Sequence, residues 1–241
     1  MTRVIPSPFP ATEALALVFR RVFLAAILAG LAAGLLVTVL QAAKLSPLIA
    51  AAEVYEAAAM PPTLHDDAWE PRAGMERMGF TLLANILIAV GFGLLLSGGF
   101  ALRQFFSGTE VDASQGLLWG LAGFAAFALA PSFGLPPALP GSAEADLLAR
   151  QSWWIGTALA TAAGIALIIF ASRWWRRAVG ALAILLPHVI GAPQAPLGGV
   201  TPAPLAAEFA AASLVIAALF WLALGGLCGW FYDRLGRRGE P

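Results

Sequence analysis

Residues 22–43 read VFLAAILAGLAAGLLVTVLQAA, between Arg20-Arg21 and Lys44. The run carries no charge. About 20 mainly apolar residues suffice for an α-helix to cross the hydrocarbon core of a bilayer. The run is also longer than the roughly 7–15 apolar residues of a cleaved signal peptide. It reads as a retained membrane anchor, and the rest of the chain repeats its texture.

Five further segments follow, at 80–100, 116–130, 153–171, 174–190 and 206–232. The fifth is the weakest, being interrupted by Pro187. The sequence therefore predicts an all-α, polytopic integral membrane bundle of about six transmembrane helices. It reads as one membrane domain over 1–241, with long loops at 44–79 and 131–152. Composition agrees: 60% of residues are apolar, 12% are charged, and the mean hydropathy is +0.81. A soluble domain carries about 25% charged residues and could not cover this much apolar surface.

Orientation follows from the basic residues, which concentrate on cytoplasmic flanks. With six spans and a cytoplasmic N-terminus, ten of the 14 Lys and Arg fall inside. The four outside are Lys44, Arg72, Arg77 and Arg150. Both termini are then cytoplasmic. Omitting the fifth span would move Arg234, Arg237 and Arg238 outside. Trp153-Trp154 and Trp174-Trp175 bracket the fourth helix as an interfacial belt.

In the first loop, Ser46-Pro47 has the character of an N-cap and first helical residue. It predicts a short interfacial helix over 48–60, ended by Pro61-Pro62. In the second loop, Asp146 and Arg150 stand at i,i+4 spacing. The pairs Gly30/Gly34, Gly116/Gly120 and Gly225/Gly229 let helix backbones approach closely. They read first as bundle packing and leave a homo-oligomer open. Cys228, the single cysteine, excludes an intrachain disulfide and reads as a small packing residue.

Polar residues at membrane depth are costly and mark function. Glu53 and Glu56 share a helix face at i,i+3 and present hard oxygen ligands for a divalent cation, or else form the solvated side of an interfacial helix. His65, Asp66, Asp67 and Glu70 form an acidic cluster with one imidazole, a set suited to a transition metal, or else a solvated loop. Glu76-Arg77 reads as a local ion pair or as helix N-terminal charge. Gln41, Asn85 and Gln151 are candidates to line a path, or to bond between helices. Pro187-His188 couples a helix break to an imidazole. The proline removes a backbone donor and frees a carbonyl near Ala183, and His188 can bind metal or relay protons, or else is a buried, hydrogen-bonded histidine near the outer interface.

No P-loop, dinucleotide fingerprint, HExxH or GxSxG is present, which argues against a soluble enzyme and against an ATP-driven pump acting alone. Zero net charge gives no field for nucleic acid. No cofactor is expected, a transported cation being cargo.

Several stretches together, in order, resemble CbtA, a family of proposed cobalt transporters. They are Arg20-Arg21 with the helix up to Gln41; Ser46-Pro47-Leu48-Ile49 through Glu53-Val54-Tyr55-Glu56; Trp69-Glu70-Pro71 through Met75-Glu76-Arg77; and Thr81 to Asn85. Later pieces are Gly116 to Gly120, Ala130-Pro131, Gly134-Leu135-Pro136-Pro137, Ala149-Arg150-Gln151 with Trp153-Trp154, Leu186-Pro187-His188, and Phe220-Trp221. The resemblance implies a bacterial inner-membrane protein of five or six spans that imports cobalt for cobalamin synthesis. It also implies a small single-span, His-rich partner of the CbtB type. The family's outer loop is often His-rich, whereas this loop holds only His65. On this reading a cation gathers at the acidic loop, meets Glu53 and Glu56, and passes near Asn85 and His188. The competing reading is a non-transporting scaffold or assembly factor for a partner membrane protein.

Overall fold

In a bilayer the backbone must satisfy its own polar groups, so apolar spans fold as helices. The computed structural model describes residues 11–59, 71–196 and 198–237. It is 83% helical, and no strand occurs among the described residues. The helices are α1 (Ala11–Leu40), α2 (Ser46–Ala59), α3 (Met75–Ser107), α4 (Ala113–Phe124), α5 (Ala130–Ser132), α6 (Leu147–Phe170), α7 (Trp174–Ile190) and α8 (Ala203–Arg237).

Two junctions differ from the sequence expectation, and for one reason. A π turn at Gln41–Leu45 joins α1 to α2, and a second at Ala125–Leu129 joins α4 to α5. Each is followed by one residue and then a proline, Pro47 and Pro131. Proline lacks the N–H, and its ring strikes the carbonyl four residues back. Widening the preceding turn carries the helix past it: Ser46 N–H bonds Gln41 O, and Ala130 N–H bonds Ala125 O. Ser46 is itself helical (φ −59°, ψ −40°), so it caps no separate helix.

Five helical runs are long and apolar enough to cross a membrane: Leu15–Ala59, Met75–Ser107, Ala113–Ser132, Leu147–Phe170 and Ala203–Arg237. Only 17% to 44% of the most apolar stretch of each is buried within the chain, which leaves broad apolar faces for lipid. The first run has 45 residues, about 68 Å along the helix at 1.5 Å per residue, well over the roughly 30 Å hydrocarbon core. The sixth helix, α7, has 17 residues, at the lower limit of roughly 17 for a span. Other helices outrun their sequence boundaries by several residues because their polar ends continue the same hydrogen-bond ladder.

The contacts divide the chain into two units, and α1, α3, α4 and α8 each contribute residues to both. In the first unit (1–36, 81–120, 222–241), α1 and α3 meet backbone to backbone. A Cβ on Gly34 would stand 2.8 Å from Ile86 Cα, and one on Gly93 3.0 Å from Ala26 O. The Gly116, Gly120, Gly225 and Gly229 backbones likewise press α4 against α8. Packing is thus what the small-residue pairs do here. Cys228 is fully buried with its thiol toward Gly93 O, as a small packing residue.

In the same unit, Arg21 inserts between α3 and α8. Its Nε donates to Tyr232 O (2.5 Å), and Nη1 donates to Gln104 Oε1 (3.1 Å). The guanidinium lies 3.8 Å over the Tyr232 ring. The Tyr232 hydroxyl donates to the same Gln104 oxygen at 3.0 Å. Phe100 packs edge-on against both Trp119 and Tyr232.

In the second unit (37–80, 121–221), α6 and α7 form an antiparallel hairpin in which the Gly164 and Gly180 backbones press together. Phe127 of the second π turn stacks on Trp221. The loop after α5 is pinned to the loop before α8. Val200 N–H donates to Gly141 O (2.8 Å) and the Thr201 hydroxyl to Pro140 O (2.6 Å). Gly141 has φ +76°, which favours glycine.

Candidate functional site

The polar residues of the second unit are sorted by ion pairing that sequence spacing does not show. Glu53 and Glu56 lie on α2 as the i,i+3 spacing requires. Glu53 Oε1 accepts from Arg77 Nη2 at 2.6 Å, with both side chains 39% to 48% exposed. Such a half-solvated pair contributes about 0.2–1 kcal/mol. Glu76, the chain neighbour of Arg77, pairs with Arg72 (2.7 Å). Glu56 packs beside Gly141, where an added Cβ would stand 3.4 Å from Glu56 Cβ. It makes no ion pair with a described residue.

Lys44, in the first π turn, reaches Glu208 at 2.6 Å. Gln41 opens that turn, its carbonyl taking the i→i+5 bond. Asn85 belongs to the first unit, on α3 one residue before the Ile86 contact with Gly34. His65, Asp66, Asp67 and Glu70 lie outside the described residues. Among the described residues, no three His, Cys, Asp or Glu side chains come together as a metal centre.

The i,i+4 pair expected of Asp146 and Arg150 does not form. Asp146 is the N-cap of α6 and accepts from Ala149 N–H (2.9 Å), while Arg150 pairs with Glu144 at 2.6 Å. An aspartate in the cap satisfies an orphan helix donor, which outweighs an exposed pair one turn on. Asp146→Ala is expected to cost about 1 kcal/mol, read as a lowered thermal midpoint with unchanged helix content by circular dichroism.

Two cavities of about 760 Å³ each open in this unit. The first is lined by Glu144, Arg150, Gln151 and Trp154. The second holds His188, Thr161 and Trp153 among Leu129, Ile165, Ile184 and Leu185. Gly134 and Gln194 line both, so the cavities adjoin. Trp153 Nε1 donates to Pro187 O at 3.2 Å, next to His188. The imidazole meets the Trp153 and Phe133 rings edge-on, at centroid distances of 5.9 and 6.1 Å. The structure thus separates Gln151 and His188 into neighbouring cavities. Sequence reasoning missed Glu144, Thr161, Gln194 and the Lys44–Glu208 pair: the ion-pair partners are distant in sequence or spaced without helical period, and no local pattern marks Thr161 or Gln194.

Apolar spans around scarce, paired charges define a multi-pass helical membrane protein. A family model matches residues 19–233, and the chain belongs to that family, described as probable cobalt transporter subunit (CbtA). Comparison with curated proteins and with solved structures finds no match.

Proposed function

We propose that the chain is the membrane-embedded permease subunit through which cobalt, or a related divalent transition-metal cation, enters the cell for cobalamin synthesis. It acts without enzymatic chemistry, beside a small single-span, His-rich subunit of the CbtB type, in the bacterial inner membrane. The observation that carries this reading is electrostatic. With α7 counted as a span and both termini cytoplasmic, nine carboxylates face four bases on the outer side, an excess of five. All four of those bases, Lys44, Arg72, Arg77 and Arg150, are already in ion pairs with carboxylates. A surface of one sign raises the local concentration of the opposite ion.

The proposed contacts are Glu56 and Glu53, fed by His65, Asp66 and Asp67. His188 is a second contact, at the mouth of its own cavity. Gln41, Asn85 and Gln151 are the proposed path-lining groups. A permease must release its ion, so a few weak oxygen and imidazole contacts serve it better than a closed cage.

The test is metal uptake by reconstituted variants. Glu56→Gln is expected to lower saturable cobalt uptake on the order of tenfold, as loss of a charged oxygen ligand does. Arg77→Gln, which releases Glu53, is expected to maintain or raise it. Wild-type uptake in Glu56→Gln, Glu53→Gln and His188→Ala alike would remove these residues from the route.

A further inference from the structure

We infer that the turn joining α6 to α7 is a docking surface for the headgroup of an anionic phospholipid. This inference is independent of the transport reading. The turn runs Ala171-Ser172-Arg173-Trp174-Trp175-Arg176-Arg177. Its three arginines are exposed, and none is in an ion pair with a described residue. No Asp or Glu occurs at 147–207. The carboxylates that bound this stretch are committed elsewhere: Asp146 caps the far end of α6, and Glu208 pairs with Lys44. The first unit is different. Its five described arginines stand with four described carboxylates, Glu13, Glu110, Asp112 and Asp233. A general bias of basic residues toward one membrane face therefore does not account for a patch without acid.

The patch works against the helix that carries it. Arg173 is the N-cap of α7, with extended backbone, no side-chain cap bond and no acidic residue in the first turn. Ser, Thr, Asp or Asn is favoured at that position, and cations are disfavoured at the positive end of a helix dipole. Among the described residues of the unit nothing offsets these charges, so the anion comes from outside. The donors are presented for it. Arg177 Nε donates to Ala171 O at 3.0 Å, which leaves both Nη groups for a ligand. The Arg176 guanidinium lies over the Trp175 ring, 5.2 Å from its centroid. The occupant is an amphiphile because the surface is one. Trp174 and Trp175 are 79% and 45% exposed, as side chains at headgroup depth are. Trp175, Val179, Leu182 and Leu186 continue as an exposed apolar row at helical spacing. Arg176 to Leu186 is about 15 Å along α7, half of a roughly 30 Å hydrocarbon core. A lipid with its phosphate at the arginines lays an acyl chain along this row. A soluble polyanion would match the arginines alone.

The test is native mass spectrometry of the full chain released from detergent micelles, offered phosphatidylglycerol or phosphatidylcholine with identical acyl chains. Phosphatidylglycerol is expected to be retained on the order of tenfold over phosphatidylcholine. One arginine at the surface is worth about fivefold, so Arg176→Gln should cut phosphatidylglycerol retention by that factor and leave phosphatidylcholine unchanged. Arg173→Asp separates binding from folding, because its two effects have opposite sign. As a proper N-cap it should raise the thermal midpoint in phosphatidylcholine by about 2–4 °C, while the preference for phosphatidylglycerol is lost. Arg176→Gln decides alone if that variant does not fold. Arg20→Gln, at an exposed arginine of the first unit, should retain both lipids as wild type does. Equal retention of the two lipids by the wild type, or full phosphatidylglycerol retention in Arg176→Gln, would overturn the assignment. So would an equal loss in Arg20→Gln, or a lowered midpoint in Arg173→Asp, which would give the arginine to the helix itself. Displacement of phosphatidylglycerol by inorganic phosphate would also overturn it, and would make the patch a site for a free anion.

Discussion

Gly225→Val is expected to lower the apparent thermal midpoint by roughly 6–12 °C, or to leave no monodisperse protein after extraction. A Cβ at 225 would overlap Gly116 O and stand 2.7 Å from Gly120 Cα and N. These are backbone atoms of α4 and cannot rotate aside as a side chain does. The helices must separate, and the packing that replaces a hydrophobic driving force inside a bilayer is lost. Overpacking of this kind costs about 3 kcal/mol or more, and a chain of this length shifts by about 2–4 °C per kcal/mol. Two controls isolate the cause. Gly226→Ala meets only the end of Leu117 at 3.1 Å, and Gly98→Ala meets nothing within 4 Å. Both are expected to be neutral or to gain up to about 1 kcal/mol from helix propensity. Equal losses at all three positions would show that the α4–α8 contact does not hold the unit together.

Arg21→Ala is the second large effect, a loss of about 2–3 kcal/mol. The guanidinium makes two hydrogen bonds and a cation–π contact. Charge-assisted bonds are worth about 1.5–3 kcal/mol each, discounted here because Arg21 is only part-buried. Arg21→Lys keeps the charge and loses the fork, and should recover less than half of the loss. Tyr232→Phe removes only the hydroxyl bond to Gln104, about 1 kcal/mol. The double variant Arg21→Ala, Tyr232→Phe should be less destabilised than the two single effects added, because both act on Gln104 Oε1. Strict additivity in chemical denaturation would dissolve the cluster into independent contacts.

Hydropathy located the spans because a bilayer demands about 20 apolar residues wherever the chain crosses. It placed α7 at 174–190, the range the helix occupies. It failed at Pro47 and Pro131 because proline is ordinarily a stop, and only a wider turn upstream lets the helix continue. No periodicity in residues 41–45 or 125–129 announces that turn. The candidate site was legible only as a list of polar residues. Glu53 and Glu56 were placed on one face by spacing alone. That Glu53 is held by Arg77, 24 residues on, and Lys44 by Glu208, 164 residues on, is tertiary information. Arg21 read as a topological flank, and its second role against Tyr232 depends on α8 returning beside α1. Gln151 and His188 were both singled out, but the boundary between their cavities is set by Gly134 close to Trp153 and Ala192, which no local pattern encodes.

Cobalt uptake into proteoliposomes is the most direct measurement. Labelled cobalt is presented to vesicles holding this chain alone, this chain with a small His-rich subunit, or no protein. Nickel and zinc serve as competitors, and a proton gradient is imposed or withheld. The account predicts saturable uptake above empty vesicles in at least one protein preparation, reduced on the order of tenfold by Glu56→Gln. Folded protein that moves no cobalt in either preparation, while still binding the small subunit, would contradict it and identify the chain as a scaffold.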